Sequence, residues 1–530
     1  MDRRQFIAGS VATAAATLSA PHVARAAGSR VLRFIPQSDL AVLDPVWTTA
    51  YVTRNHGMMV FDTLFGIDES YAAHPQMVAG FTTSPDGKEW VLTLRDGLKF
   101  HDGSPVLARD CTASITRWGK RDAFGGGLMA ATDDLSAPDD KTIKFRLKRP
   151  FPLLPDALGK VGVSMCPIMP ERLAKTDPFT QVTEMVGSGP FRFLSAERVP
   201  GAKAVYARFD GYVPRPDGTV SLTAGPKIAN FDRIEWTTIP DAATALAALQ
   251  AGEADWWEQP SFDLLPVMQA DDKLKVGNLD PSGYMSMLRM NQLFAPFDNP
   301  AIRRALLGAV DQKEYMTAVA GTDPTWWQTP AGFFPPTSPL ASDAGMTALT
   351  GPRDVAKVKA DIQAAGYKGE SVVVLVPTDY PTLNAMALVG ADMLKRCGLN
   401  VDVVATDWGS VVQRRASRKP PAEGGWSVFF TNFTGLDENT PATHLGLRGN
   451  GASGWFGWAT APKLEELRDA WFQAPDAAAQ KAIGTEIQAQ AFSDVPYLPL
   501  GKYLQPTVYA GSLKGVLTGM PIFWNVDRSA

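Results

Sequence analysis

Histidine and cysteine are scarce in this chain, five and three in 530 residues. The histidines, His22, His56, His74, His101 and His444, are scattered and share no metal-ligand spacing. No H-E-x-x-H occurs, so they predict surface or core roles, with no metal and no cofactor. Cys111, Cys166 and Cys397 allow at most one disulfide and form no C-x-x-C pair. They read as buried small hydrophobes. The phosphate-cradling G-x-x-x-x-G-K-[ST] run is absent. Gly187-Ser188-Gly189 is followed by Pro190, which blocks the helix opening a phosphate cradle needs. Gly451-Ala452-Ser453-Gly454 is not a G-x-S-x-G elbow, and no strand leads into it. An excess of positive charge is missing too: 51 Lys and Arg stand against 55 Asp and Glu, a formal charge of −4. That argues against a nucleic-acid partner. The longest basic cluster, Arg414-Arg415 to Arg418-Lys419, predicts a solvated loop.

Long hydrophobic runs are also lacking, since none after the N-terminus reaches the roughly 20 residues of a membrane span. At the start, Asp2-Arg3-Arg4-Gln5-Phe6-Ile7 resembles a twin-arginine export motif. It precedes the mild, Ala-rich stretch Ile7–Leu18, and Ala24-Arg25-Ala26 fits a small-x-small cleavage site. Residues 1–26 are therefore expected to be a twin-arginine signal peptide. No Cys follows to carry a lipid, and a soluble periplasmic protein is expected.

What is present begins with alternation. Residues 90–118 read WVLTLRDGLKFHDGSPVLARDCTASITRW. Trp90, Leu92 and Leu94 alternate with Val91, Thr93 and Arg95, the period of a half-buried strand. Asp96-Gly97 is a turn signal, Leu98 and Phe100 resume the alternation, and Asp110 is placed to cap a helix. Further helices are read over Asn55–Leu64, 241–252, 353–365, 382–397 and 463–493. Between 353 and 430, helix and strand alternate three times, which predicts a parallel α/β lobe.

The 90–118 string closely resembles the signature of the extracellular solute-binding proteins of peptide-type ABC importers (family 5: the dipeptide, oligopeptide and nickel-binding group). Leu43-Asp44-Pro45, Val60–Leu64, Val186–Phe193, Leu249–Asp255, Asn299–Leu306 and Pro496–Leu500 resemble further family segments in the family's order. The resemblance implies an α/β, two-lobed periplasmic binding protein fold (type II, large three-subdomain variant) with a hinge and an interlobe ligand cleft. Lobe I would occupy 27–285, with an extra subdomain at about 60–190. Lobe II would occupy 286–496, and 497–530 would return to lobe I. The implied function is capture of a peptide-like or other small solute, which a monomer delivers to an ABC permease in the inner membrane without breaking bonds. An exported hydrolase on a two-lobed scaffold is the alternative; the missing nucleophile and metal motifs count against it.

Loop aromatics offer apolar faces with a polar handle, and the family's ligand contacts come from such positions at strand ends. Trp47 with Tyr51, Trp256-Trp257 with Glu258, and Trp455 are candidates on that ground, with packing as the competing role. A carboxylate beside two indoles suits a ligand cation. Gln37 and Tyr284 are further candidates. In peptide-binding members an Asp of the second lobe pairs with the ligand's ammonium. Here the corresponding stretch, Val428–Asn439, places Asn432, Phe433 or Thr434 near that position, and Asp437 resembles the structural Asp that follows it. Asn432, Thr434 and Asp437 complete the list. A buried ammonium without a counter-charge costs several kcal/mol, so the stretch predicts that a plain free-amine peptide is not the ligand unless Asp437, Glu438 or Glu258 takes that role.

Overall fold

Strands from distant parts of the chain assemble into two large sheets. The computed structural model describes residues 30–529; the export motif and cleavage site read at 1–26 lie outside them. The first sheet has seven strands in the order Leu274–Asn278, Pro506–Ala510, Trp256–Trp257, Val31–Ile35, Arg233–Thr237, Lys203–Arg208 and Phe191–Phe193. Val31–Ile35 lies parallel to both of its neighbours. The second has six, in the order Trp327–Gln328, Leu498–Tyr503, Tyr284–Met290, Val428–Thr434, Ser371–Pro377 and Asn400–Thr406.

The second sheet carries out the alternation read from the sequence. Helices Val355–Ala364, Pro381–Arg396 and Trp408–Arg414 separate strands Ser371–Pro377, Asn400–Thr406 and Val428–Thr434. Ser371–Pro377 pairs parallel with both of the others. It is buried from Val372 to Pro377, the near-continuous apolar run of a strand covered on both faces.

A four-stranded antiparallel sheet, ordered Val78–Thr83, Glu89–Leu94, Thr142–Leu147, Thr132–Ser136, forms a separate layer on the first lobe. Here the 90–95 alternation is realised, with Trp90, Leu92 and Leu94 buried and Thr93 exposed. Asp110 accepts the Leu107 N–H at 2.8 Å and anchors the helix Ala108–Gly119.

Between the two large sheets the chain crosses twice, at 279–283 and at 504–505. The second crossing lies later than the 497 read from the sequence, because Leu498–Tyr503 pairs with Tyr284–Met290 inside the second sheet. Two other boundaries differ. The helix read at Asn55–Leu64 spans Tyr51–Val60; beyond it the buried Asp62–Lys227 pair, at 2.7 Å, anchors the chain as it leaves the helix. The 463–493 helix is two, Pro462–Phe472 and Ala477–Asp494, and the Asp476 side chain caps the second through the Ala479 N–H. All three cysteines are buried and unpaired.

Candidate solute site between the lobes

The lobes meet closed, and the contact centres on Tyr51. Its hydroxyl donates to Asp437 Oδ2 at 2.6 Å and accepts the Thr434 N–H at 2.5 Å. Thr434 Oγ1 donates to the same carboxylate oxygen at 2.9 Å, and Asp437 Oδ1 accepts the Val163 N–H at 2.9 Å. Asp437 is thus filled by donors from both lobes. Gly162 makes this approach possible, since a Cβ there would overlap Oδ1. Tyr284 packs edge-on against Tyr51, 5.8 Å between centroids, and stacks on Tyr503 at 5.4 Å.

Four cavities among the described residues are walled by both lobes; two, of about 140 and 120 Å³, are lined by Asp437 and by Thr434 respectively, and the other two are more polar. The smaller of the polar pair, about 250 Å³, is lined by Gln37, Gln259 and Gln505 on one side and Tyr380 and Thr382 on the other. Gln37 Oε1 accepts from Tyr380 Oη at 3.0 Å and from Gln259 Nε2 at 2.7 Å. The larger, about 850 Å³, has Trp47, Thr49, Lys120, Arg121, Ser164 and Phe179 in the first lobe. In the second lobe Arg418, Arg448, Asn450, Ser453, Trp455 and Trp458 face them. Three residues that line it each carry a buried polar atom with no partner among the described residues: Arg121 Nε, Asn450 Oδ1 and Trp455 Nε1. Buried polar atoms are normally paired, so three such residues from both lobes around one cavity are unusual. The size fits a small-molecule pocket.

A family model described as bacterial extracellular solute-binding proteins, family 5 middle, matches residues 72–453. The chain belongs to this family. It is 36% identical, over the whole of both chains, to a probable peptide ABC transporter periplasmic-binding protein of Sinorhizobium fredii. It is 28% identical to the glutathione-binding protein GsiB of Pectobacterium atrosepticum, over 75% of this chain and 73% of that one. The fold is shared with solved structures. One is the periplasmic binding protein AgaA of A. tumefaciens R10 in complex with agropinic acid, with a TM-score of 0.77 and 22% identity over 94% of this chain and 99% of that one. Another is a dipeptide-binding protein of Pseudoalteromonas sp. SM9913 in complex with Met-Leu, with a TM-score of 0.74 and 16% identity over 94% of this chain and 100% of that one. The family identifies this solute-binding protein as the substrate-binding component of a peptide-type ABC importer, with a solute and a membrane permease as its partners. Among the described residues no helix is long and apolar enough to cross a membrane.

The candidates read from the sequence distribute unevenly in the solute-binding protein. Trp47 and Trp455 face each other's lobe across the larger cavity, and Gln37 lines the smaller. Tyr51, Tyr284, Thr434 and Asp437 form the interlobe contact, and Asp437 and Thr434 line the cavities of about 140 and 120 Å³. Asn432 donates to Tyr503 Oη at 2.7 Å within the second sheet. Trp256 and Trp257 lie outside both cavity walls. As strand neighbours they point to opposite faces, and both faces are covered. Trp256 packs among Phe34, Tyr509 and Phe523 and donates to Thr507 Oγ1 at 2.8 Å. Trp257 packs with Ile35, Leu246, Leu249 and Val508. Glu258 is buried and accepts the Gln37 N–H and Asn55 Nδ2, each at 2.8 Å. Burial pushes its pKa up to about 7, against the opposing pull of these bonds and of Arg54.

Arginine is what the sequence reading missed. Arg415, expected in a solvated loop, is 1% exposed. It sits over the faces of Trp408, Phe429 and Phe456 at 5.2–5.5 Å, and its Nη2 donates across the lobes to Thr49 Oγ1 at 3.1 Å. The signal was present: 408, 411, 412 and 415 share one helix face, and Trp408, Val411 and Val412 on that face are buried. Arg121 belongs to no sequence motif and is brought to the cavity only by the fold.

Proposed function

We propose that this solute-binding protein is an exported, monomeric periplasmic receptor without catalytic activity, and that it takes its solute in the larger interlobe cavity. The observation that carries this reading is that one cavity of about 850 Å³ is lined from both lobes by residues with unpartnered buried polar atoms, Arg121, Asn450 and Trp455. A solute touching both lobes stabilises the closed form in proportion to its preference for it. Trp47 and Trp455 supply the apolar faces.

A plain di- or tripeptide fits this cavity poorly. No carboxylate lines it. Of the three carboxylates read from the sequence, Asp437 and Glu258 already accept protein donors on both oxygens, and Glu438, whose oxygens accept no hydrogen bond among the described residues, is fully buried and does not line this cavity. Relatives described as peptide- or glutathione-binding support a peptide-like scale for the solute, and a modified or amide-rich solute suits the wall better than a free amine.

The test is intrinsic fluorescence of the mature protein, titrated with solutes that raise its melting temperature. Binding should shift emission in the wild type, and Trp455→Phe should weaken both shift and affinity, about tenfold or more. Unchanged affinity in Trp455→Phe and in Trp47→Phe would move the site elsewhere, with Thr382→Val in the smaller cavity as the next variant to measure.

A further inference from the structure

Resting on that reading of the larger cavity, we propose that its solute is a polyanion: a small organic molecule with at least two carboxylate or phosphate groups, held by Arg121 and Arg418.

The argument is one of charge balance. Lys120, Arg121, Arg418 and Arg448 line the cavity, and neither Asp nor Glu does. Arg448 is neutralised by Glu465 at 3.0 Å. Among the described residues Arg121 has no ion-pair partner; its Nη2 donates to the Trp47 carbonyl at 2.8 Å and its guanidinium lies 4.7 Å over Phe179. Arg418 donates to the Ala452 carbonyl and lies 5.2 Å over Trp458. Asp44, the carboxylate that acts most on Arg121, is already paired with Arg117 at 2.6 Å.

Arg415 adds a buried positive charge next to a lining residue without lining the cavity itself. It is 1% exposed, has no acidic partner, and its Nε has no hydrogen-bond acceptor. Its one polar contact, Thr49 Oγ1, belongs to a residue that lines the cavity. A guanidinium kept out of water with only aromatic faces around it is costly. Burial lowers its pKa to about 9. Burial also lowers that of Arg121, where Asp44 pulls back upward and the like charges of Arg117 and Arg418 push further down. The Arg121 and Arg418 guanidinium groups repel one another across the cavity. An anion entering between them gains from both at once, and the planar fork of Arg matches carboxylate and phosphate oxygens in pairs. Trp47 and Trp455 are left to cover the carbon skeleton joining the two anionic groups.

The smaller cavity offers a contrast. It is lined by Gln37, Gln259, Gln505 and Thr382, with Asp263 as its only ionisable carboxylate and no Lys or Arg. A neutral, amide-bearing solute would favour that side.

The experiment uses the mature protein and a fixed panel. Its arms are di- and tricarboxylates of four to ten carbons, carboxylate-bearing sugar and amino-acid conjugates, sugar phosphates, the methyl esters of the same acids, and dipeptide amides. Thermal shift ranks them and calorimetry gives affinities at low and high salt. At least one polyanion should bind, its methyl ester at least 100-fold more weakly, with affinity falling as salt rises. Arg418→Gln, at the exposed rim, should weaken it tenfold or more, and Arg121→Gln likewise; Arg418→Lys should recover part of the loss. Carboxylate and phosphate arms separate the two sources of anion. If a neutral member binds best and Trp455→Phe abolishes that binding, the cavity is the site and the polyanion proposal is wrong. If a polyanion binds but no Arg or Trp455 variant changes its affinity, the cavity reading itself fails. A panel in which no polyanion stabilises the protein more than its ester also overturns the proposal.

Discussion

Glu258 shows how one residue can look functional in the sequence and be structural in the fold. It follows two tryptophans, but its carboxyl group ties the segment after Val31–Ile35 to the helix Tyr51–Val60 through Gln37 and Asn55. Its pKa, raised by burial from 4.5 to about 7, makes a pH prediction. Below pH 4.5 both folded and unfolded chains hold the proton and stability is at its full value. Between 4.5 and about 7 the unfolded chain releases its proton first, so the folded state loses ground, by the order of a few kcal/mol at saturation. Glu258→Gln, which keeps an acceptor and a donor without the charge, should remove this loss. Melting temperatures measured from pH 4 to 8 should fall less for the variant than for the wild type across that window. Parallel curves would show that Glu258 is charged throughout. The same lesson holds in reverse for Arg415, a charge that composition assigns to solvent and the helix face carries inward.

Among the elements, the helix Pro381–Arg396 illustrates the limit of propensity. Gly390 lies inside it, where Gly costs about 1 kcal/mol relative to Ala. Its reason is the strand Val428–Thr434 beneath: a Cβ at 390 would land in the ring of Phe430, which is fully buried. Overpacking a rigid core position costs about 1–3 kcal/mol, more than the helix would gain. Gly390→Ala should therefore lower the denaturation midpoint, whereas the same change in an exposed helix would raise it. Denaturant unfolding at constant m-value decides between the two. The helices and strands of this lobe were legible because their hydrophobic periods are long and regular. The break between Phe472 and Ala477 was read through, although Pro475 and Asp476 mark it, the one disfavouring a continuing helix and the other capping the next.

At the scale of the whole molecule, function rests on two lobes joined by crossings at 279–283 and 504–505 and held shut at Tyr51. Tyr51→Phe leaves the Thr434 N–H without its acceptor and removes one donor from Asp437. A buried group left unsatisfied costs about 1–3 kcal/mol, here charged only to the closed form. The open population should rise and the apparent Kd for a bound solute increase about 5- to 150-fold, with a larger radius of gyration in solution scattering. A Kd unchanged in Tyr51→Phe would mean that closure is driven elsewhere. The helix–strand alternation behind the parallel strands Asn400–Thr406, Ser371–Pro377 and Val428–Thr434 was determined by sequence alone, since strand and helix periods and turn residues are local properties, and the order of motifs carried the family resemblance that implied two lobes; the antiparallel half of the same sheet was not read. Which residues meet in the cleft was decided only by the tertiary structure. Trp256 and Trp455 are both loop-flanked tryptophans, yet one is sealed between sheet and core and the other faces the opposite lobe. Arg121 and Arg418 lie almost 300 positions apart, and no local pattern records that closing two lobes brings their charges together. Local chemistry repeats along a chain; the sign of the field in a cleft is a sum over both of its walls.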